Sequence, residues 1–367
     1  LFVSKVKLYK FRNLADQQVE LSEGPVYISG LNGNGKTNLI EAVYLLTGSR
    51  SFRTNSTTEL LRFGERECSV FGTVTQASGI EELGLIFTAS GRTGSLNGEA
   101  LDSITELLGR LRAVSFSPAD LSLVKGAPAG RRKFLDRHMV DLQPGYLKTL
   151  LGYQRALANK SALLKQQNTT YPQLKVWNEL LAEHGGKVVD NRRKFIESLS
   201  DKSASFHSEY APSDGPLTLE LESALTEEGQ GARDSRDQLL EQLERAAPRE
   251  IAMRSPVVGP HRDDIKISIS GVDCRSYASQ GQTRSVVLSM KLGVIELIES
   301  QNGEAPVILL DDVDSELDAG RSERLFAALL RKPRQLIITG TMSPPEQLER
   351  HSALQLLRVE KGMVGPA

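Results

Sequence analysis

Gly30-Leu31-Asn32-Gly33-Asn34-Gly35-Lys36-Thr37 has the spacing G-x-x-x-x-G-K-T of a loop that cradles phosphate. Each residue type has a physical reason to be there. Glycines let backbone N–H groups curl around phosphate oxygens without Cβ clashes. A helix that begins where the loop ends adds its positive end. Lys36 supplies a point charge to the β- and γ-phosphates, and the Thr37 hydroxyl suits Mg²⁺. Average residue usage gives this string by accident in roughly 1% of chains of this length, so a plain Gly-rich turn is the weaker reading. The metal also needs a carboxylate from a second strand. Val307-Ile308-Leu309-Leu310 is an apolar run that ends in Asp311-Asp312. Asp311, at the strand end, is the expected Mg²⁺ ligand. Asp312, next in line, is suited to orient or deprotonate an attacking water. Even alone, Asp311 is less readily a helix cap or turn residue than a metal ligand, and with the loop present that lesser reading weakens further.

These residues need elements to hold them. Val26-Tyr27-Ile28 reads as a buried strand running into the loop, and Leu39, Ile40, Val43, Tyr44 and Leu46 recur at helical spacing after it. Gly48 is a plausible helix stop. Residues 68–97 read as short strands ending in the turn Asn97-Gly98. From 131 to 210 two stripes with steps of three and four predict a long antiparallel helical hairpin. One stripe runs from Leu147 to Leu164 and the other from Leu174 to Phe195, with the polar connector Gln166 to Pro172 between them. His184 falls on the second stripe and is expected to pack in the hairpin. Residues 212–216 and 226–237 read as loops. Strand character returns with Ile265, Ile267 and Ile269, and a further helix and strand are expected near 319–331 and 335–339. The expected fold is α/β: one domain of residues 1–120 plus 252–367, built from both chain ends, with a mainly helical insertion over 121–251.

Composition limits the alternatives. The chain has 367 residues, 45 Lys+Arg against 46 Asp+Glu, and 39% hydrophobic residues. Disorder is excluded as the main state, and a nucleic-acid surface would have to be local. Two cysteines, Cys68 and Cys274, make no disulfide framework and point to a reducing cytosol, hence a cytoplasmic protein. No apolar run approaches the ~18 residues of a membrane span. The opening Leu1-Phe2-Val3-Ser4-Lys5 reads as a strand rather than a signal peptide. The five histidines show no metal-ligand spacing. His261-Arg262-Asp263 mimics a kinase catalytic loop, but Ser268 stands where that loop needs Asn. Arg192-Arg193-Lys194 reads as a solvated helix face rather than a DNA contact.

Ser279-Gln280-Gly281-Gln282, ahead of a helix and before Asp311, resembles the signature motif of ABC-type ATPases, and Ser315-Glu316-Leu317-Asp318 resembles their D-loop. Alone, the Ser279 cluster would more often be a helix cap. Together with Phe11-Arg12-Asn13, Gly48-Ser49-Arg50-Ser51-Phe52-Arg53, Phe116-Ser117-Pro118-Ala119-Asp120-Leu121, Arg131-Arg132-Lys133-Phe134-Leu135-Asp136 and Gly259-Pro260-His261-Arg262-Asp263-Asp264, the chain resembles the RecF family of bacterial recombination-mediator ATPases, relatives of SMC-type DNA clamps. The resemblance spans nearly the whole chain. It implies an ABC-type head that binds ATP and Mg²⁺ and dimerises head to tail on ATP. Ser279, Gln280, Gly281 and Gln282 would then act in trans on nucleotide held by the partner chain. It assigns Gly30 to Thr37, with Asn38, Arg12 and Asn13, to the nucleotide. It makes Arg50, Arg53, Arg131 and Arg132 the DNA candidates, although Arg131 and Arg132 could instead order a domain junction. It implies weak, DNA-stimulated hydrolysis, work at gapped DNA or single-strand/double-strand junctions, and partners RecR and RecO with RecA downstream in repair, replication and the SOS response. Two departures stand out. Asp314 occupies a place expected to be apolar. No Q-loop glutamine is found, Val114 lying near where one belongs.

Two other classes share these motifs. A membrane transporter's ATPase subunit carries both phosphate motifs and the signature, but its helical insert is normally short. A small-molecule P-loop kinase needs an acceptor pocket and lid arginines, and does not use Ser279.

Overall fold

A computed structural model describes residues 1–225, 234–312, 319–341 and 343–367. The expected D-loop, Asp314 and most of the 226–237 loop lie outside the described residues. Along the chain come β1 (Phe2–Tyr9), β2 (Gln17–Glu20), β3 (Pro25–Ser29), α1 (Lys36–Leu45), β4 (Glu67–Gln76), β5 (Gly79–Thr88), β6 (Gly91–Leu96), β7 (Glu99–Ala100) and β8 (Ala113–Phe116). Then follow α2 (Ser122–Lys125), α3 (Pro128–Leu142), α4 (Pro144–Leu164), α5 (Tyr171–Tyr210), β9 (Leu217–Glu222), α6 (Ser235–Met253), β10 (Asp264–Ile269), β11 (Val272–Asp273), α7 (Cys274–Tyr277) and α8 (Gln280–Asn302). The chain ends with β12 (Val307–Leu310), α9 (Ala319–Leu329), β13 (Leu336–Gly340), α10 (Glu346–Glu349), β14 (Gln355–Glu360) and β15 (Met363–Pro366). It divides into two compact units, residues 1–120 with 294–367, and residues 121–293.

The first unit holds two sheets. One has the order β15-β14-β3-β13-β12-β8, parallel except for β15. Its inner strands are buried along their whole length, Val307 to Leu310 and Leu336 to Gly340, as a parallel sheet covered on both faces requires. The register pairs Leu310 with both Phe116 and Ile338, and Ile338 with Tyr27. The carboxyl ends of four strands therefore lie on one edge, where α/β sheets bind ligands. The other sheet, β2-β1-β4-β5-β6-β7, is antiparallel. One continuous core joins the two, with Val3, Val6 and Val70 packed in the same cluster as Val307, Leu309 and Ile337. Gln335 ties them together: its side chain accepts from Val3 N at 2.8 Å and donates to Val3 O at 2.8 Å and Ser22 O at 2.7 Å.

The second unit contains the helical hairpin that the stripes predict. α4 and α5 pack together, and α5, at 40 residues, is about 60 Å long. His184 packs onto Gly152, where an added Cβ would fall 2.7 Å from the imidazole. β9, β10 and β11 form a small antiparallel sheet. Because β10 pairs with β9 over six residues, the segment after 252 joins the helical unit. The unit boundary thus falls at 293/294, inside α8, rather than at the expected 252.

Arg192 corrects its expected solvated position. It is 2% exposed, donates to both Asp136 oxygens at 2.9 and 3.1 Å, and reaches Pro260 O at 2.6 Å and Asp263 at 3.0 Å. Tyr146 also donates to Asp136, at 2.6 Å. Here the R-R-K-F-L-D and G-P-H-R-D-D strings meet as a buried ionic core. Arg192→Met is expected to destabilise the protein by about 3–5 kcal/mol, because the buried Asp263 and the half-buried Asp136 would lose the cation they share. Urea unfolding followed by circular dichroism checks this; a midpoint equal to wild type would show the network to be neutral.

Candidate nucleotide site

The loop 30–35 joins β3, at the middle of the parallel sheet, to the N-terminus of α1. Gly35 caps the helix at φ 114°, and a Cβ there would meet Leu14 at 2.6 Å. A Cβ at Gly30 would fall 2.5 Å from Val359 O, so the chain passes too closely for any other residue. The loop is braced from outside. Asn13 donates to Gly33 O at 2.7 Å and accepts from Asn38 at 2.6 Å; Asn34 donates to Val359 O at 3.3 Å, and Asn34 O accepts from Gly362 N at 3.2 Å. α1 has no acidic residue in its first turn, leaving its positive end for an incoming anion.

Lys36 folds back into this loop. Its ammonium donates to Gly30 O at 2.6 Å and Leu31 O at 3.3 Å, with Asn32 Oδ1 at 3.5 Å. Burial lowers its pKa, and Asp312 and Asp311 work the other way. On the neighbouring strands, Asp311 Oδ1 accepts from Thr37 at 2.8 Å and from Thr339 at 2.9 Å. Burial raises the Asp311 pKa, which the two hydroxyl bonds oppose. Asp312 sits in the left-handed region at φ 52°, its N–H bonded to Thr339 Oγ1 at 3.0 Å. A non-Gly residue in that conformation stores backbone strain of the kind found at functional sites. An open cavity is lined by Asn32, Gly33, Gly35, Lys36, Thr37, Asn38, Arg53 and Asp312. Lysine, threonine and both aspartates, drawn from opposite ends of the chain, thus converge on one sheet edge.

Oxygen donors of this kind suit Mg²⁺. Among the described residues no group of three or more His, Cys, Asp or Glu could hold a metal by itself. Thr37 and Asp311 would therefore share the ion with nucleotide phosphates, which is how Mg²⁺ is commonly held.

Other expected residues stand elsewhere. Arg12 does not line the cavity. Its guanidinium grips Glu41 at 2.9 and 2.8 Å, and Glu41 is fully buried and also accepts from Ser51 at 2.5 Å. Arg12 therefore holds the middle of α1. Leu31 is 76% exposed, and only its carbonyl enters the loop's bonding. Arg53, expected on DNA, lines the cavity, with Asn38 Oδ1 at 2.5 Å and Glu41 at 3.6 Å. Arg131 leaves the DNA candidates too. It is 2% exposed, paired with Asp264 at 2.6 and 2.8 Å, and caps the carbonyls of Leu123, Val124 and Gly126. Arg132 spends a donor on Asp263 O at 2.7 Å. Arg50 is exposed, beside a separate cavity. Val114 is buried within β8 and offers no ligand. The residue leaving that strand at the metal edge is Ser117, whose N–H donates to Asp120 at 2.6 Å.

Ser279 accepts from Gln282 N–H at 3.1 Å while its own N–H donates to Gln282 Oε1 at 3.0 Å, a reciprocal cap on α8. Ser279 and Gln280 are exposed, and Gly281 and Gln282 half-buried. Lys125 anchors the preceding turn by donating to Cys274 O at 2.9 Å, Arg275 O at 3.2 Å and Ala278 O at 2.7 Å. Two participants escaped the sequence reading. Thr339 gave a faint signal as the polar end of an apolar strand. Glu41 gave one as a lone acid inside an apolar helix.

Arg53→Ala is expected to weaken ATP binding or turnover by about tenfold, the size of a lost hydrogen bond to a charged group. Nucleotide titration and steady-state hydrolysis check this; a change confined to DNA binding would return Arg53 to the DNA surface.

Residues 2–363 match the family described as RecF/RecN/SMC N terminal domain. The DNA replication and repair protein RecF of Crocosphaera subtropica is 34% identical, the alignment covering 99% of each chain. Its namesake from Streptococcus equi subsp. zooepidemicus is 33% identical over 99% of this chain and 98% of its own. A solved structure of the recombination mediator protein RecF with ATP, in the RecFOR pathway, superposes with TM-score 0.91 at 33% identity, covering 100% of this chain and 97% of that one. The Smc head bound to the C-winged helix domain of ScpA, at TM-score 0.59 and 14% identity, shares the fold. No helix among the described residues is long and apolar enough to cross a membrane. On a family match over almost its full length and on relatives that it covers end to end, this chain belongs to the RecF family of ABC/SMC-type ATPases.

Proposed function

We propose that the chain is an ATP-controlled DNA-binding clamp in DNA replication and recombinational repair. The observation that carries this is the convergence of Lys36, Thr37, Asp311 and Asp312 on one sheet edge, in a chain whose relatives are named for replication and repair. ATP phosphates lie in the loop against the N-terminus of α1, exchanging the loop carbonyls for themselves as partners of Lys36. Thr37 and Asp311 would hold Mg²⁺ when it is bound, and its charge would offset that of the phosphates. Asp312, kept in place through Thr339, orients the attacking water or takes its proton. Hydrolysis yields ADP and phosphate. The exposed, rigidly capped Ser279 cluster completes the partner chain's site in trans, so ATP favours a head-to-tail homodimer, and closure aligns cations on DNA at gaps and junctions. Slow, DNA-stimulated turnover then reopens the clamp. The named RecFOR pathway of the solved relative supports RecR and RecO as partners, with RecA loading downstream.

A transporter subunit is disfavoured by the helical unit and by the family. Size-exclusion chromatography with light scattering, with and without ATP and gapped DNA, tests the clamp: ATP should shift monomer to dimer, and DNA should enter the ATP-bound species. A monomer unaffected by ATP that retains no DNA rejects it.

A further inference from the structure

Arg50 and Arg53 stand three residues apart and face different cavities. Arg53 lines the phosphate loop; Arg50 lines a second cavity in the same unit, together with Arg92 and the hydroxyl residues Thr54 and Ser56. Elsewhere in this unit cations meet acids: Lys7 with Glu82, Lys10 with Glu65, Arg62 with Asp16 and Arg110 with Glu81. Here two arginines line one cavity and no carboxylate lines it. Arg50 makes no hydrogen bond or ion pair to any described residue. Arg92 places one donor on Ser49 O at 2.5 Å, which fixes its plane and leaves other N–H groups of its fork unused. Burial first, and then the charge of Arg50, lower the Arg92 pKa. Glu41, which Ser51 touches, is already held by Arg12. Leu45, Leu60 and Phe87 give the cavity an apolar floor.

We propose that Arg50 and Arg92 form a seat for a backbone phosphodiester of DNA. Two planar forks that line one cavity without a counter-charge are suited to a shared anionic group. The apolar floor suits the adjoining sugar. This rests on the clamp reading, which supplies DNA as the ligand, and it adds Arg92, which no sequence signal marked. It also places the seat on the chain segment whose Ser51 bonds Glu41 and whose Arg53 lines the nucleotide cavity, so both ligands bear on one loop.

The test measures DNA binding by the full chain with non-hydrolysable ATP across a salt series. Arg50→Ala should weaken binding about tenfold near physiological salt and flatten log K against log salt by about one unit, one phosphate contact fewer. Its melting temperature should equal or exceed wild type, because a like-charge contact is relieved. Arg92→Lys, which keeps the charge and loses the fork, should weaken binding less and flatten the slope little. Wild-type affinity and slope in Arg50→Ala overturns the seat while leaving the clamp standing. Absence of DNA binding by wild type in every nucleotide state overturns both. Inorganic phosphate gives the remaining arm. If it raises the melting temperature of wild type more than that of Arg50→Ala, while the DNA salt slope is unchanged, the seat takes free phosphate and the assignment to DNA fails.

Discussion

Lys36→Met is expected to abolish ATP binding, and Lys36→Arg to keep weak binding while hydrolysis falls at least about 100-fold, the scale of losing a charged transition-state contact. The geometry explains the difference. Lys36 is 6% exposed, and its ammonium fits among the carbonyls of Gly30 and Leu31 and the side chain of Asn32. A methionine has no charge to offer phosphate. An arginine keeps the charge but spreads it over a planar fork wider than the space the loop encloses. It would draw phosphate toward the loop without placing a point charge between the β- and γ-groups. Equilibrium titration with a fluorescent ATP analogue and a phosphate-release assay read the two effects separately. Both variants should unfold near the wild-type midpoint, since Lys36 bonds only its own loop. Wild-type turnover in purified Lys36→Arg would show that hydrolysis occurs elsewhere.

The phosphate loop was legible because its chemistry is local: glycines, lysine and threonine must be consecutive, and a string of that kind survives any fold. Asp311-Asp312 was legible because a buried parallel strand writes itself as four apolar residues before its polar end. The helical hairpin was legible through steps of three and four. What stayed hidden was made by pairing between distant segments. Thr339 touches Asp311 only because β12 and β13 are neighbours in register. Glu41 and Arg12 meet only because β1 ends beside α1. Charge runs misled most. Arg131 and Arg192 look like surface residues in the sequence, yet Asp264, Asp136 and Asp263 draw them inside. Sequence shows a cation's presence but not its partner, and a partner 56 to 133 residues away decides whether it faces water. The boundary at 252 failed for the same reason: β10 carries strand periodicity, and only pairing tells which sheet receives it.

The second large effect concerns the signature cluster. Ser279→Arg is expected to leave ATP binding by the monomer nearly normal and to block ATP-driven dimerisation and hydrolysis. Ser279 and Gln280 are exposed, and the turn before them is pinned by Lys125, so an added guanidinium would project from a rigid helix end. It would stand where the partner's phosphate is proposed to enter. Part of any effect could come from the lost cap, whose removal costs about 1 kcal/mol. Ser279→Ala isolates that part, since it removes the hydroxyl bond to Gln282 N–H without adding bulk, and it should dimerise far better than Ser279→Arg. Asp312→Asn is the complement. Its backbone is left-handed at φ 52°, a conformation asparagine accepts as readily as aspartate, so the variant should fold. Asp311 and Thr37 remain, water activation is lost, and the ATP-bound dimer should accumulate. Mixing the two variants makes a dimer in which one site is whole: the Ser279→Arg chain brings Asp312, and its partner brings Ser279. The other site carries both lesions. Partial recovery of hydrolysis in the mixture supports action in trans, because a cis arrangement leaves both sites broken. Light scattering of the single variant is the decisive measurement. If Ser279→Arg alone dimerises on ATP and hydrolyses it like wild type, the cluster does not meet the partner's nucleotide, and the clamp mechanism loses its means of coupling ATP to closure.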